Sequence, residues 1–199
     1  MNKIIIVGSL WILYCLLHSI MATTVFKKRI QILFGKSYRY YRLFYNLFAA
    51  ITLALILFYQ ISFTSALLFI PNLISKIAGG TVTFIGIWIM SICITKYFKQ
   101  ESGFLWLNPQ MSIQKTELFI SGIHNYVRHP LYLGTLIFIW GLFIIFPSMV
   151  NLAAVSIISI YTLIAIQFEE IKLIAEFGDA YREYKKKVPM IIPKFKSTN

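Results

Sequence analysis

Gly122-Ile-His-Asn-Tyr-Val-Arg-His-Pro-Leu-Tyr-Leu-Gly134 joins a polar loop to an apolar run that continues to Phe146. Proline is favoured at the first position of a helix, because its missing N–H would have no partner there anyway. The stretch therefore predicts a loop, then Arg128 and His129, then a helix opening at Pro130. The first turn of such a helix offers N–H groups without helical acceptors and the positive end of the helix dipole. With Arg128 fixed in charge and His129 beside it, the junction suits a carboxylate or phosphate. The helix that follows carries no charge, which makes it a membrane helix with an anion site at its mouth.

Working outward, the rest of the chain has the same character. Of its 199 residues, 58% are hydrophobic and 13% charged, where a soluble domain carries roughly 25% charge. Several apolar runs approach or reach the ~20 residues a helix needs to span a bilayer, whereas a transmembrane barrel would alternate in short segments. The fold class is an all-α integral membrane protein with about five transmembrane helices. The net charge of +12 would suggest nucleic acid in a soluble protein, but Lys and Arg gather on the cytoplasmic side of membrane proteins. No nucleic-acid partner is expected; membrane lipids are. Cys15 and Cys93 sit in separate apolar runs and read as buried thiols. No ligand spacing for a metal is apparent.

The first span covers about Ile4 to Ala22, with His18 and Ser19 near its inner end. Lys27-Lys28-Arg29 follows it, opposite to the order of a signal peptide. A histidine inside a span is a functional candidate by default, and a hydrogen bond between helices is the plain alternative. Residues 23–42 form a basic linker rich in tyrosine. Span two runs about Leu43 to Phe63 and span three about Ile77 to Thr95, where Gly79, Gly80 and Gly86 allow close packing. Residues 96–127 are the longest polar stretch. Span four, about Pro130 to Phe146, turns through Pro147-Ser148 into span five, about Met149 to Phe168. Gly178 reads as a helix stop and Asp179 as the next N-cap. Ile171, Ile174, Phe177, Tyr181 and Tyr184 recur at helical spacing between charges, predicting a cytosolic amphipathic C-terminal helix at the membrane surface.

Counting Lys and Arg orients the chain. Six lie between spans one and two, one between two and three, four between three and four, none between four and five, and seven after span five. The alternation puts the N-terminus outside and the C-terminus in the cytoplasm. Arg128, His129, Glu169 and Glu170 then face one leaflet, and a hairpin of spans four and five would bring them together. Cations on one side, carboxylates on the other and Tyr126, Tyr132, Tyr181 and Tyr184 around them would hold a zwitterion, with aromatic faces for a sulfonium or ammonium. S-adenosylmethionine has these parts. The Gly-rich dinucleotide loop, the P-loop and a Ser/His/Asp set are not seen.

The ordered set Val127-Arg-His-Pro-Leu-Tyr-Leu-Gly134, Phe168-Glu-Glu170, Phe177-Gly178, Tyr181, Tyr184 and Val188-Pro189 resembles the isoprenylcysteine carboxyl methyltransferase and phospholipid methyltransferase family over roughly residues 116–193. His18-Ser19-Ile-Met-Ala22, Phe26-Lys27 and Tyr41-Arg42 are similar to a bacterial branch that holds methanethiol S-methyltransferases and NnrU proteins. The resemblance implies a single domain: three spans over 1–95, a cytosolic cofactor loop over 96–129, a hairpin over 130–168 and a cytosolic segment over 169–199, in a bacterial inner membrane. It implies S-adenosylmethionine held by His124, Arg128, His129, Pro130, Leu131, Tyr132, Glu169 and Glu170. Arg128, His129 and Glu169 are the catalytic candidates, and His18 is a substrate candidate. The chain departs from the family's pattern at Thr116-Glu-Leu-Phe119, where a His-containing stretch is usual, and at His124, which takes a Tyr position. Ala165 stands where the prenylcysteine enzymes carry an arginine for the substrate carboxylate. These departures favour methyl transfer to a small or lipophilic acceptor without a carboxylate, a thiol first. A non-enzymatic NnrU-type accessory or transport protein is the alternative class; within the enzymes, the alternatives are prenylcysteine carboxyl and phospholipid N-methyl transfer.

Overall fold

The computed structural model describes residues 2–62, 65–97, 118 and 120–193. Most of the polar stretch before Gly122, including Thr116-Glu-Leu-Phe119 apart from Leu118, lies outside the described residues. Among those described, seven α-helices follow one another: α1 Asn2–Ala22, α2 Thr24–Phe34, α3 Tyr41–Ile61, α4 Leu73–Tyr97, α5 Pro130–Ile145, α6 Met149–Phe177 and α7 Asp179–Lys187. Four stretches are long and apolar enough to cross a membrane: Lys3–Ala22, Thr24–Ile61, Leu73–Thr95 and Met149–Phe177. The remaining expected span, α5, has 16 residues. At 1.5 Å per residue that is about 24 Å, short of a ~30 Å hydrocarbon layer.

Three local expectations are revised. The basic linker is itself helical: Thr23 caps α2 by accepting the Phe26 N–H at 3.2 Å, and Gly35 at φ +49° ends it. A 3-10 turn, Gly35–Tyr40, then leads directly into α3. Span five does not stop at the glutamates, because nothing between Phe168 and Phe177 breaks the helix. Gly178, at φ +56°, is the stop, and it also takes the N-cap position of α7, with Asp179 in the first turn. A left-handed φ costs glycine little, which is why it serves there.

The contacts divide the chain into two units. One comprises residues up to Pro71 with Phe146–Tyr161. Its core is Val7 and Trp11 of α1, Ile56 of α3, and Val150 and Ala154 of α6. A polar chain runs through it: the Trp11 indole donates to Gln60 at 2.7 Å, the Gln60 amide to Asn151 at 2.8 Å, and the Asn151 amide to the Phe146 carbonyl at 2.7 Å. Within apolar helices such bonds are strong positioning devices, since unpaired amides there are costly. The Tyr41 hydroxyl ties α3 to α1 through the Met21 carbonyl at 2.6 Å.

The other unit comprises Asn72–Lys96, the described part of Ile113–Ile145, and the chain from Thr162. Here α4 and α5 meet through glycines. A Cβ on Gly86 would lie 2.5 Å from the Phe138 backbone nitrogen, one on Gly79 2.9 Å from the Gly141 carbonyl oxygen, and one on Gly141 2.5 Å from Thr83. Gly79 and Gly86 thus pack as their spacing suggests, Gly134 and Gly141 answer them from α5, and Gly80 faces open space. Tyr181, Tyr184 and Val188 form a second core with Leu118, Leu173, Ile174 and Phe177. The apolar face of α7 is therefore covered by the end of α6 rather than lying free for the membrane surface. Ile171, expected on that face, is exposed.

Candidate active site

Pro130 opens α5, and the Leu133 N–H bonds the His129 carbonyl at 3.0 Å, so His129 is the residue from which the helix starts. The chain just before it is clamped to the segment after α7. The Arg128 N–H donates to the Pro189 carbonyl at 2.9 Å and the His129 N–H to the Met190 carbonyl at 3.1 Å. The side chains then turn toward α6. Both the Arg128 Nε–H and an Nη–H reach one oxygen of Glu170, at 2.8 and 2.6 Å. A second Nη–H donates to the carbonyls of Lys185 and Val188. His129 Nε2 lies 3.3 Å from the same Glu170 oxygen, the Tyr181 hydroxyl donates to it at 3.5 Å, and Lys185 Nζ lies 2.6 Å from the other oxygen. The Arg128 side chain is 7% exposed and that of Glu170 3%. A buried carboxylate held by two cations and two further donors is stable only because each charge is answered.

Glu169 stands apart from this lock. Its side chain is 42% exposed and its nearest cluster partner is His129 Nδ1, at 4.0 Å. Burial pushes the His129 imidazole below its ordinary 6.5, against the opposing pull of Glu169 and Glu170, so the ring is neutral at pH 7. The Tyr132 ring packs at 5.8 Å from it. His124 lies on a 3-10 turn, Gly122–Asn125, and is half-buried; its carbonyl accepts the Tyr184 hydroxyl at 2.7 Å. Burial also lowers the His124 imidazole and raises the Tyr184 hydroxyl to about 12, which keeps that hydroxyl a donor.

The structure brings Arg128, His129, Pro130, Glu169 and Glu170 together, with His124 tied in through Tyr184. It divides the two glutamates: Glu170 is sealed among Arg128, His129, Tyr181 and Lys185, and Glu169 keeps a half-exposed carboxylate. Lys185 and Tyr181 complete the lock, and the sequence reading assigned Lys185 no part in it. Lys185 is the first of three consecutive lysines, so no spacing singled it out. His18 is not part of this cluster. It belongs to the first unit, where its ring nitrogens lie 2.6 Å from the Tyr45 hydroxyl and 3.3 Å from that of Tyr161, which is also 2.8 Å from Ser19 Oγ. Cys15 and Cys93 are buried free thiols. Among the described residues no group of His, Cys, Asp and Glu is arranged to hold a metal ion.

The geometry coincides with a region of family similarity. Residues 74–180, which hold α4, α5, α6 and the Arg128–Glu170 pair, match the family model for phospholipid methyltransferase. The chain belongs to the phospholipid methyltransferase family. A methanethiol S-methyltransferase of Crocosphaera subtropica is 30% identical over 186 residues, covering 91% of this chain and 71% of the relative. Methanethiol S-methyltransferase 2 of Bradyrhizobium diazoefficiens is 42% identical over 74 residues, 36% of this chain and 27% of that one. Protein-S-isoprenylcysteine O-methyltransferase of Schizosaccharomyces pombe is 37% identical over 78 residues, 38% of this chain and 28% of its own. No solved structure matches the chain. The protein is a membrane methyltransferase, and its reaction requires a methyl donor.

Proposed function

We propose that this methyltransferase moves a methyl group from S-adenosylmethionine to a thiol, from the cytoplasmic face of a bacterial inner membrane. The observation that carries the reading is the division of labour at α5 and α6: a sealed Arg128–Glu170 pair next to a half-exposed Glu169 carboxylate. The donor set fits a zwitterionic nucleoside. Glu169 would accept from its ammonium. The Leu131 N–H, which has no acceptor within α5, would meet its carboxylate, with Tyr132 and the neutral His129 beside it. When bound, S-adenosylmethionine supplies a methyl group on a positively charged sulfur, open to displacement by a soft nucleophile. The protein's own share is to orient and to exclude water. Glu170 holds Arg128 and His129 still, and the clamp from Pro189 and Met190 closes over them. A thiol acceptor reacts as thiolate. Ala165, in place of an arginine, leaves no cation on that turn of α6 for an acceptor carboxylate, which favours thiols over prenylcysteine. The similarity to a methanethiol S-methyltransferase over most of the chain supports the same choice.

The test is a calorimetric titration of the detergent-purified protein with S-adenosylmethionine and its demethylated product, followed by methyl transfer to a panel of small thiols, a prenylcysteine and phosphatidylethanolamine. Saturable micromolar binding and thiol methylation are expected. Folded protein that binds neither nucleoside up to millimolar concentration would overturn the donor assignment, and methylation confined to phosphatidylethanolamine would overturn the thiol.

A further inference from the structure

Within the first unit, α1 and α3 enclose a trough of about 210 Å3 that is open along one side. It runs from Leu10 to His18 on α1 and from Tyr45 to Ile56 on α3. At 1.5 Å per residue that is about 12 Å of one helix and about 16 Å of the other. Leu13, Leu17 and Leu55 edge it and are exposed, so it opens on the apolar outer surface of these helices. The polar atoms of His18, Tyr45 and Thr52 in its wall are bonded within the protein. The His18 nitrogens meet the Tyr45 and Tyr161 hydroxyls, and the Thr52 hydroxyl donates to the Phe48 carbonyl. The wall therefore presents hydrocarbon.

Its place along the helices matches one leaflet of a bilayer. His18 lies four residues before the end of α1 and Tyr45 four residues after the start of α3, so the trough begins about 6 Å inside the Lys- and Arg-rich end. Headgroups occupy about 5–8 Å on each side of the hydrocarbon, and one leaflet of hydrocarbon is about 15 Å deep. An acyl chain would thus start where the trough starts and end about where it ends. Above the mouth, charge is of one sign. Tyr41 stacks on Tyr45 and Tyr38 on Tyr41, with ring centres 6.4 and 5.6 Å apart, which carries the wall up to the 3-10 turn. That turn holds Lys36 and Arg39, both exposed, with the Arg39 guanidinium 4.6 Å from the centre of the Tyr40 ring. Arg42 stands three positions before Tyr45 on α3, on the same face one turn above it. No Asp or Glu precedes Glu101 in the sequence and none lies in Phe146–Tyr161, so the described residues of this unit hold no carboxylate side chain.

An acyl chain gains little by leaving the bilayer for a protein groove through apolarity alone, because lipid tails are as apolar as leucine. The trough adds dispersion contacts on three sides of the chain. The cations add selectivity, since each Lys or Arg at an anionic surface is worth about fivefold in binding. We propose that the trough and the basic turn above it form a binding site for one anionic phospholipid. Its chain lies between α1 and α3, and its phosphate meets Lys36, Arg39 and Arg42. The site stands whatever the methyl donor and acceptor are.

The experiment is photolabelling of the full chain in phosphatidylcholine nanodiscs. The probe is phosphatidylglycerol with a diazirine on one acyl chain, or the matching phosphatidylcholine, and label is mapped by peptide mass spectrometry. Label from the phosphatidylglycerol probe is expected on α1 between Leu10 and His18 and on α3 between Tyr45 and Ile56, about tenfold above that from phosphatidylcholine. The triple variant Lys36→Gln, Arg39→Gln, Arg42→Gln should bring the two probes within about twofold of each other and leave the trough labelled. Ala49→Phe, which fills the trough, should remove label from both probes. Ala49→Leu fills less and should give a smaller loss in a protein that melts as the native one does. Equal labelling by the two probes, or a preference that survives in the triple variant, would overturn the headgroup assignment. A preference removed by millimolar inorganic phosphate would make the turn a free-phosphate site and overturn the phospholipid. Label spread evenly onto Leu47, Ile51 and Phe58, which do not line the trough, would reduce it to ordinary bilayer contact.

Discussion

Glu169 and Glu170 are neighbours in sequence and opposites in environment. Glu170→Gln removes the charge that answers Arg128 and Lys185. Breaking a buried pair from one side costs about 3–5 kcal/mol, so a large drop in melting temperature in detergent is expected. Glu169→Gln should leave the melting temperature unchanged and weaken S-adenosylmethionine binding at least tenfold, read by calorimetry; unchanged affinity would remove Glu169 from the site. His129 gives a pH signature. Its imidazole is held below 6.5 by burial, so the unfolded chain takes up a proton there before the folded protein does. The stability this ring contributes is complete above about pH 6.5 and is lost as pH falls below that value toward the folded pKa. His124 is shifted in the same direction, so the comparison is made by difference. Between about pH 7.5 and 5.5 the native protein should lose more melting temperature than His129→Gln does. Equal losses would assign the effect to another group. At this scale the sequence was legible in residue type: Arg, His and two Glu, at two places. It was silent on which glutamate does which task, because adjacent helical residues point about 100° apart and only the rotation of α6 against α5 decides between them.

Among the elements, the α4–α5 contact is the most exposed to test. Gly86→Ala and Gly141→Ala each push a Cβ to 2.5 Å from backbone atoms of the facing helix, where no flexible side chain can give way. Both should lower the melting temperature. Gly80→Ala meets nothing within 4 Å and should hold or raise it, since alanine is favoured over glycine within a helix by roughly 1 kcal/mol. The three melts together separate packing from propensity. The α4 glycines were visible in the sequence as packing candidates, but their neighbours were not: a one-dimensional pattern names small residues without saying which face meets a partner. The same holds for α7. Its periodicity predicted an apolar face, and Tyr181 and Tyr184 are buried. What covers that face is the end of α6 and Val188, a matter of how sharply Gly178 turns the chain. Tyr184→Phe, which loses the bond to the His124 carbonyl, should cost about 1 kcal/mol, measured by the same melt.

For the whole molecule, charge carries the topology we propose. Lys and Arg crowd the α1–α3 connection, the segment before α5 and the chain after α6, which orients these to the cytoplasm and the N-terminus outward. A fluorescent protein fused after Asn199 should fluoresce, and alkaline phosphatase fused at the same place should be inactive; the reverse pattern would invert the orientation. The helical membrane class, the start of α5 at Pro130, the stop at Gly178 and the two polar clusters that meet were all determined by the sequence alone. Hydropathy, proline and glycine act locally, through solvent preference and backbone geometry, so their effects can be read in order along the chain. The seal of Arg128 by Glu170 and Lys185, the docking of α7, the glycine contacts of α4 with α5 and the His18–Tyr45–Tyr161 network were decided only by tertiary structure. The Arg128–Glu170, α4–α5 and His18–Tyr161 contacts join residues about forty to more than a hundred positions apart, and all of these pairings depend on the rotation and register of whole helices, which no local preference specifies.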